Sequence, residues 1–367
     1  MNFEFSDDVT VMREEVRRLL TERVPPGAVR RLVDAGQPFD RPLWQEIGAL
    51  GWMGISLPEA FGGSGLDHET LCMLAEEIGR VAASVPFSSS IYLAAEAIAL
   101  FGSEEQKRTW LPGLASGEVV GTFALAEGNG FSTAEHVRAA VLNGRITGRK
   151  LPVWDGLVAD LFVVAARDAD GDIGLYLVTA QSVIRTPLET IEYGREAAAV
   201  VFENGIADRL LAAKGWSAVE KLLDRAAILF AFEAVGGAEA ILTMAVDYTT
   251  QRFAFGRSIA SMQAIKHMLA DVYVAIELAR SNAYYGAWAL AHDAPELTIA
   301  AATARLAAIA AYETASAQAI QVHGGMGFTQ EVDCHIHYRR AKRLATEIGP
   351  RRYWSDRLIA HLPATAG

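Results

Sequence analysis

The sequence is poor in cysteine: Cys72 and Cys334 are its only two, they lie far apart, and neither has a companion at metal-ligand spacing. That excludes a disulfide framework and agrees with a reducing, cytoplasmic setting. A basic surplus is also missing. The formal net charge is −11 and the acidic groups are scattered, which argues against a nucleic-acid surface and leaves room only for a local basic pocket. Met1 to Leu20 mixes acidic and basic residues throughout, so the charged-then-apolar pattern of a leader is not expected. Apolar runs such as Ala226–Phe232 are too short to span a bilayer, so no membrane partner is expected. Internal repeats and low-complexity tracts are absent, apart from alanine-rich helices.

What is present is a chain of 367 residues, 51% hydrophobic, long enough for two or three domains that share packed interfaces. Three segments follow from the patterning, and together they predict an α+β protein. Residues 1–117 read as helical: a helix follows Ser6, others cover Leu43–Leu50, Glu69–Val81 and Ile91–Phe101, and a glycine-rich connection runs from Leu57 to Thr70. Residues 118–212 carry short apolar or alternating runs, with Asn143-Gly144 and Asp170-Gly171 as hairpin signals, and read as a β domain. Residues 213–367 read as a helical bundle. Ser217-x-x-Glu220 has the form of a capping box opening a long helix to Asp247, and two more long helices cover Gln263–His292 and Leu297–Val322.

Between the first two of these helices lies YTTQRFAFGRSIASMQ, Tyr248–Gln263, where Gly256 marks a bend. Read as helix, Arg252 and Phe255 share one face, so that a guanidinium and a ring can meet one bound group. A second stretch, QVHGGMGF from Gln321, offers paired glycines through which backbone amides can approach a ligand closely.

The set Tyr248, Arg252, Phe255, Gly256, Gln263, Gln321, Gly324, Gly325 and Gly327 resembles the acyl-CoA dehydrogenase family of flavoproteins, and the resemblance runs over essentially the whole chain. It implies an N-terminal helical domain, a small middle β-barrel and a C-terminal four-helix bundle. FAD is the implied cofactor, an acyl-CoA the substrate and electron-transfer flavoprotein the partner, in a homo- or heterotetramer with a related chain. Arg252, Phe255, Gln263, Gln321, Gly324 and Gly325 would hold the cofactor of a neighbouring subunit. The implied reaction is α,β-dehydrogenation of the thioester; the alternative is a non-catalytic or half-site subunit that completes another chain's FAD site.

Glu233 is the candidate catalytic base. It is the single charge between Arg225 and Glu239 in the apolar stretch AAILFAFEAVGG, where an unpaired carboxylate would have a raised pKa suited to taking a carbon-bound proton. The competing reading is a structural glutamate paired to a basic residue of a neighbouring helix. In the family the base has several placements. The commonest falls here on Ile348, beside Glu347; the branched-chain placement falls on Ala226. A third, used by proteins resembling the heteromeric bacterial enzymes that act on steroid side chains, lies two turns after Ala226 and coincides with Glu233. Ala234, Gly236 and Gly237 nearby would leave room for a bulky acyl group.

The middle segment departs from the family pattern. Ala126-Glu127-Gly128 stands for a Thr-Glu-Pro turn, Phe131-Ser132-Thr133 for Gly-Ser-Asp, and Lys150-Leu151-Pro152-Val153-Trp154 for Lys-x-Trp-x-Thr, which puts two flavin-ring contacts in question. His323, His335 and His337 lack the carboxylate or cysteine companions of a metal site. Arg339, Arg340, Lys342 and Arg343 form a basic run that reads as a solvated face.

Overall fold

A computed structural model describes residues 5–128, 130–192 and 194–362. In chain order the helices are α1 (Asp7–Arg23), α2 (Ala28–Asp34), α3 (Arg41–Ala49), α4 (His68–Arg80), α5 (Glu96–Phe101, continuing a π-helical segment Ser88–Ala95) and α6 (Glu104–Ser116). The strands β1 (Gly121–Ala124), β2 (Ala140–Leu142), β3 (Arg145–Trp154), β4 (Leu161–Arg167), β5 (Ile173–Thr179), β6 (Val183–Leu188), β7 (Ala197–Ile206) and β8 (Asp208–Arg209) come next. The long helix α7 (Gly215–Gln251) leads into a two-stranded ribbon of β9 (Phe253–Ala254) and β10 (Arg257–Ser258). After it come α8 (Gln263–Ala291), α9 (Leu297–His323), α10 (Cys334–Leu344) and α11 (Arg351–His361).

The chain condenses into two compact units: Met1–Gly36, His68–Ala83 and Ala227–Gly367 form one, Gln37–Asp67 and Ser84–Ala226 the other. In the second unit an eight-stranded sheet runs in the order β6-β7-β3-β2-β4-β5-β8, with β1 parallel to β4. Both expected hairpins form. Leu142 pairs with Arg145 across Asn143-Gly144, whose φ values of 51° and 71° are those of a two-residue turn matched to strand twist. Between β4 and β5, the Asp168 carboxylate accepts from the amides of Asp170 and Asp172 at 3.1 and 2.9 Å and rounds the turn. Phe162 and Phe202 meet edge to face, 6.1 Å apart, in the sheet's core.

Helix starts follow local chemistry in some places and not in others. Ser6 caps α1, accepting from the Val9 amide, with Asp7 and Asp8 in the first turn. Ser103 and Gln106 form a reciprocal capping box on α6. The box expected at Ser217 and Glu220 does not open α7: the helix begins earlier, at Gly215, and the Ser217 hydroxyl donates to the Lys214 carbonyl at 3.2 Å.

The first unit is built on α7. Most of its residues from Ala227 to Ala238 are buried, and α4 crosses it at glycines: a Cβ on Gly236 would run into the Glu76 carbonyl oxygen. The crossing is tied by a net of charges. Glu76 and Glu77 are fully buried and bind Arg13, Arg17, Arg80 and Arg280, while Glu239 binds Arg80 and Arg280. The apolar runs of α7 are short in sequence because charges interrupt them, but they join in one helix. The helix is long and apolar enough to cross a membrane, yet 78% of its most apolar stretch is buried inside the protein, as in a bundle helix.

Candidate functional site

Glu233 lies in the apolar middle of α7 and is 2% exposed. The expectation of an unpaired carboxylate is corrected: basic residues of α10 pair with it. Its Oε1 accepts from Arg343 Nη2 at 3.3 Å, and Arg340 Nη1 stands 4.0 Å away. Arg343 Nη1 donates to Glu347, and Arg340 also donates to the Ala83 carbonyl at 2.8 Å. Behind them Arg305 is fully buried, its guanidinium 5.5 Å from the centre of the Phe230 ring, donating to the Leu344 carbonyl. Burial pushes Arg305 down to about 10, against the charges of Glu347 and Glu233 that hold it up. The two carboxylates weighed as the base, Glu233 and Glu347, therefore meet at one guanidinium.

The basic run on α10 is not the solvated face expected of it. Cys334, His337, Arg340, Ala341 and Leu344 are buried at helical spacing, with Arg343 beside them, while Arg339 and Lys342 remain partly exposed. The spacing of the arginines from Cys334 was the available signal. Burial, with Arg340 adding to it, lowers His337 to about 3, and its Nδ1 pairs with the Tyr312 hydroxyl at 2.9 Å. No cluster of metal-ligating side chains occurs among the described residues.

A second site forms where α7 ends. The helix stops at Gln251, and Phe255-Gly256, with φ of 54° and 77°, make a two-residue turn between β9 and β10. Arg252 and Phe255 are therefore not on one helical face; a positive φ at a non-glycine residue is not readable from residue types. Phe255 is 94% exposed. Arg252 instead faces the end of α9, where Gly324, at φ 59°, turns the chain. Tyr248, Arg252, Ile259, Val322, His323, Gly324, Gly325 and Met326 line one pocket of about 450 Å³, with Tyr248 stacked on His323 at 4.1 Å. A Cβ on Gly324 or Gly325 would meet only open space. The structure thus brings Arg252, Gly324 and Gly325 together; Gln263 and Gln321 are exposed and, with Phe255, lie outside that lining.

Comparison with known proteins decides the family. Residues 6–118 match the family described as "Acyl-CoA dehydrogenase, N-terminal domain" and residues 213–354 match "Acyl-CoA dehydrogenase, C-terminal domain". The chain belongs to the acyl-CoA dehydrogenase family. It is 33% identical to the probable acyl-CoA dehydrogenase YngJ of Bacillus subtilis over 98% of each chain. It is 30% identical to the acyl-CoA dehydrogenase IpdE2 of Mycolicibacterium smegmatis, over 97% of this chain and 99% of the relative. In structure it is similar to a chain of the ChsE4-ChsE5 complex from Mycobacterium tuberculosis, with a TM-score of 0.90 and 28% identity over 99% of this chain and 100% of that one. Acyl-CoA dehydrogenases are FAD flavoproteins and oxidoreductases acting on acyl-CoA.

The residues of this acyl-CoA dehydrogenase fit FAD at the C-terminal pocket: an exposed guanidinium and open glycine amides suit a pyrophosphate, and the Tyr248–His323 stack gives the pocket an aromatic wall. The sheet side is different. Lys150 is fully buried, and its Nζ donates to Glu127 at 2.6 Å and to the Leu125 carbonyl at 3.0 Å. Glu127 also accepts from the amides of Arg138 and Ala139 at 2.8 and 3.0 Å. Burial lowers Lys150 to about 8, with Glu127 opposing. Trp154 is partly exposed at the end of β3 rather than packed in the sheet's core. The glycines thought to leave space for a bulky acyl group have another use: Gly236 admits the backbone of α4, and Gly237 admits the Tyr312 ring.

Proposed function

We propose that this acyl-CoA dehydrogenase oxidises an acyl-CoA thioester to its trans-2-enoyl product with Glu233 as the base. Glu233 takes the α-proton; the β-hydrogen departs with its electron pair, and the double bond forms between the two carbons. Bound FAD supplies the hydride acceptor, and electron-transfer flavoprotein takes the electrons onward. Arg252, Phe255, Gln263, Gln321, Gly324 and Gly325 serve as cofactor contacts, with Arg252 and the two glycines at the pyrophosphate. The observation that carries the choice of base is the unequal grip of Arg343, which holds Glu347 in direct contact and Glu233 at 3.3 Å. The more loosely held carboxylate is the one free to exchange a proton with a substrate.

Rapid mixing of FAD-loaded protein with butyryl-CoA, octanoyl-CoA and a ring-bearing ester tests this reading. Glu233→Gln keeps the shape of the side chain and removes the acceptor, so flavin bleaching should slow by ~10²-fold or more, whereas Glu347→Gln should still bleach. The reverse pattern would move the role to Glu347.

A second reading is favoured by the end of β3, where Pro152 and Trp154 stand at the two positions to which the family resemblance assigns ring contacts. In it the chain pairs with a related chain and completes that partner's FAD site. Protein expressed alone that is colourless, and turns yellow only with a related chain, would support the second reading; yellow protein from this chain alone would support the first.

A further inference from the structure

We propose that Arg343 is a positioning residue for the reaction, dividing its guanidinium between Glu233 and Glu347 so that Glu347 acts as the standing counter-ion while Glu233 gains and loses its proton. The inference rests on Glu233 being the base. Its geometry is that of a shared cation: Nη1 is engaged by Glu347 and Nη2 reaches Glu233 at 3.3 Å, both carboxylate side chains being almost completely buried. A guanidinium buried with one carboxylate would be left uncompensated each time that carboxylate was protonated. With two carboxylates the charge stays paired in both states. When Glu233 is protonated, Glu347 still neutralises Arg343; when Glu233 is ionised, Arg343 offsets the desolvation of both.

The surroundings of Glu233 leave this role to Arg343. Arg340, on the same helix, stands 4.0 Å from Glu233 and is also held by the Ala83 carbonyl. His337 is low in pKa through burial and pairs with Tyr312. From α9 comes Arg305, donating to the Leu344 carbonyl. Helix α4 presents the backbone of Gly79 to Glu233, and its Glu76, Glu77 and Arg80 are engaged with Arg13, Arg17, Arg280 and Glu239.

The test is the pH profile of flavin bleaching by whichever of butyryl-CoA and octanoyl-CoA is faster, in FAD-loaded protein. Arg343→Met removes a positive charge beside the base, so the acid limb should move up by about one pH unit or more. Arg343→Lys keeps the charge and should move it less. Glu347→Gln removes a negative charge and should move the limb in the opposite direction. Shifts of opposite sign support the proposal; unchanged limbs, or shifts of the same sign, overturn it. An activity-independent arm covers variants that fold poorly or bind no ester. The loss of melting temperature caused by Arg343→Lys should be smaller in a Glu233→Gln background, and strictly additive losses would overturn the contact. If Glu233→Gln itself still bleaches, it is the choice of base that fails.

Discussion

Gly79 lies directly against the backbone carbonyl of Glu233, so close that a methyl group there would overlap the oxygen. The candidate base therefore sits at the point where α4 and α7 touch backbone to backbone, with Gly236 making the reciprocal approach to Glu76. Gly79→Ala must push the helices apart and should destabilise the protein by ~1–3 kcal/mol, the usual range for overpacking. Urea unfolding of the variant measures it, and an unchanged midpoint would mean that the helices can separate without loss.

Arg252 provides the next expectation. Its guanidinium faces the glycine turn at the end of α9, and a charge-assisted contact to a pyrophosphate is worth on the order of 2 kcal/mol. Arg252→Ala should release flavin on dilution about thirty-fold more readily, seen as free flavin passing an ultrafiltration membrane. Equal retention would remove Arg252 from the cofactor site.

Acid stability should depend on Glu239. Burial works to raise this carboxyl, but Arg80 and Arg280 overcome it and hold it at about 2. A carboxyl whose folded pKa lies below its unfolded value stabilises the fold above the unfolded value, near 4.5, and loses that contribution as pH falls toward 2. Glu239→Gln should flatten the fall in melting temperature between about pH 5 and pH 2. A slope identical to that of the unaltered protein would assign the acid sensitivity elsewhere.

Assembly can be checked on α8. Tyr273, Val274 and Leu278 are exposed apolar groups on this helix, 57%, 54% and 60% accessible, and an apolar face of this kind suits burial against another chain. Leu278→Glu should lower the sedimentation coefficient of the tetramer that the family resemblance implies. A stable monomer of unaltered protein that still holds FAD would contradict the assembly.

Much of the fold was legible because its determinants are local. Asn143-Gly144 turns where its residue types demand, and Ser6 caps the helix it precedes. The site was legible only as a set of candidates. Glu233 stood out as a lone charge, but its partner Arg343 is brought to it by tertiary packing of α10, and no local rule reports that. Phe255 adopts a conformation that non-glycine residues rarely take, so the helical reading of Arg252 and Phe255 failed at one dihedral angle. Gly236 and Gly237 read as free space, although the backbone of Glu76 and the ring of Tyr312 fill it. Small residues make room, and the sequence does not say for whom.

Helix α7 separates its two functional ends by length alone. From Glu233 to Gln251 the helix rises roughly 27 Å, so the proposed proton acceptor shares one rod with Arg252, the next residue in the chain, which is proposed to meet the phosphates of a neighbour's cofactor. Damage at either end then falls on different catalytic centres. Chains carrying Glu233→Gln and chains carrying Arg252→Ala, each impaired by itself, should complement one another when unfolded and reassembled together at a dilution where the Arg252→Ala protein has lost its flavin. The mixed oligomer would contain centres with both parts intact, and its activity would rise toward a fixed fraction of the unaltered enzyme as the two chains approach equal amounts.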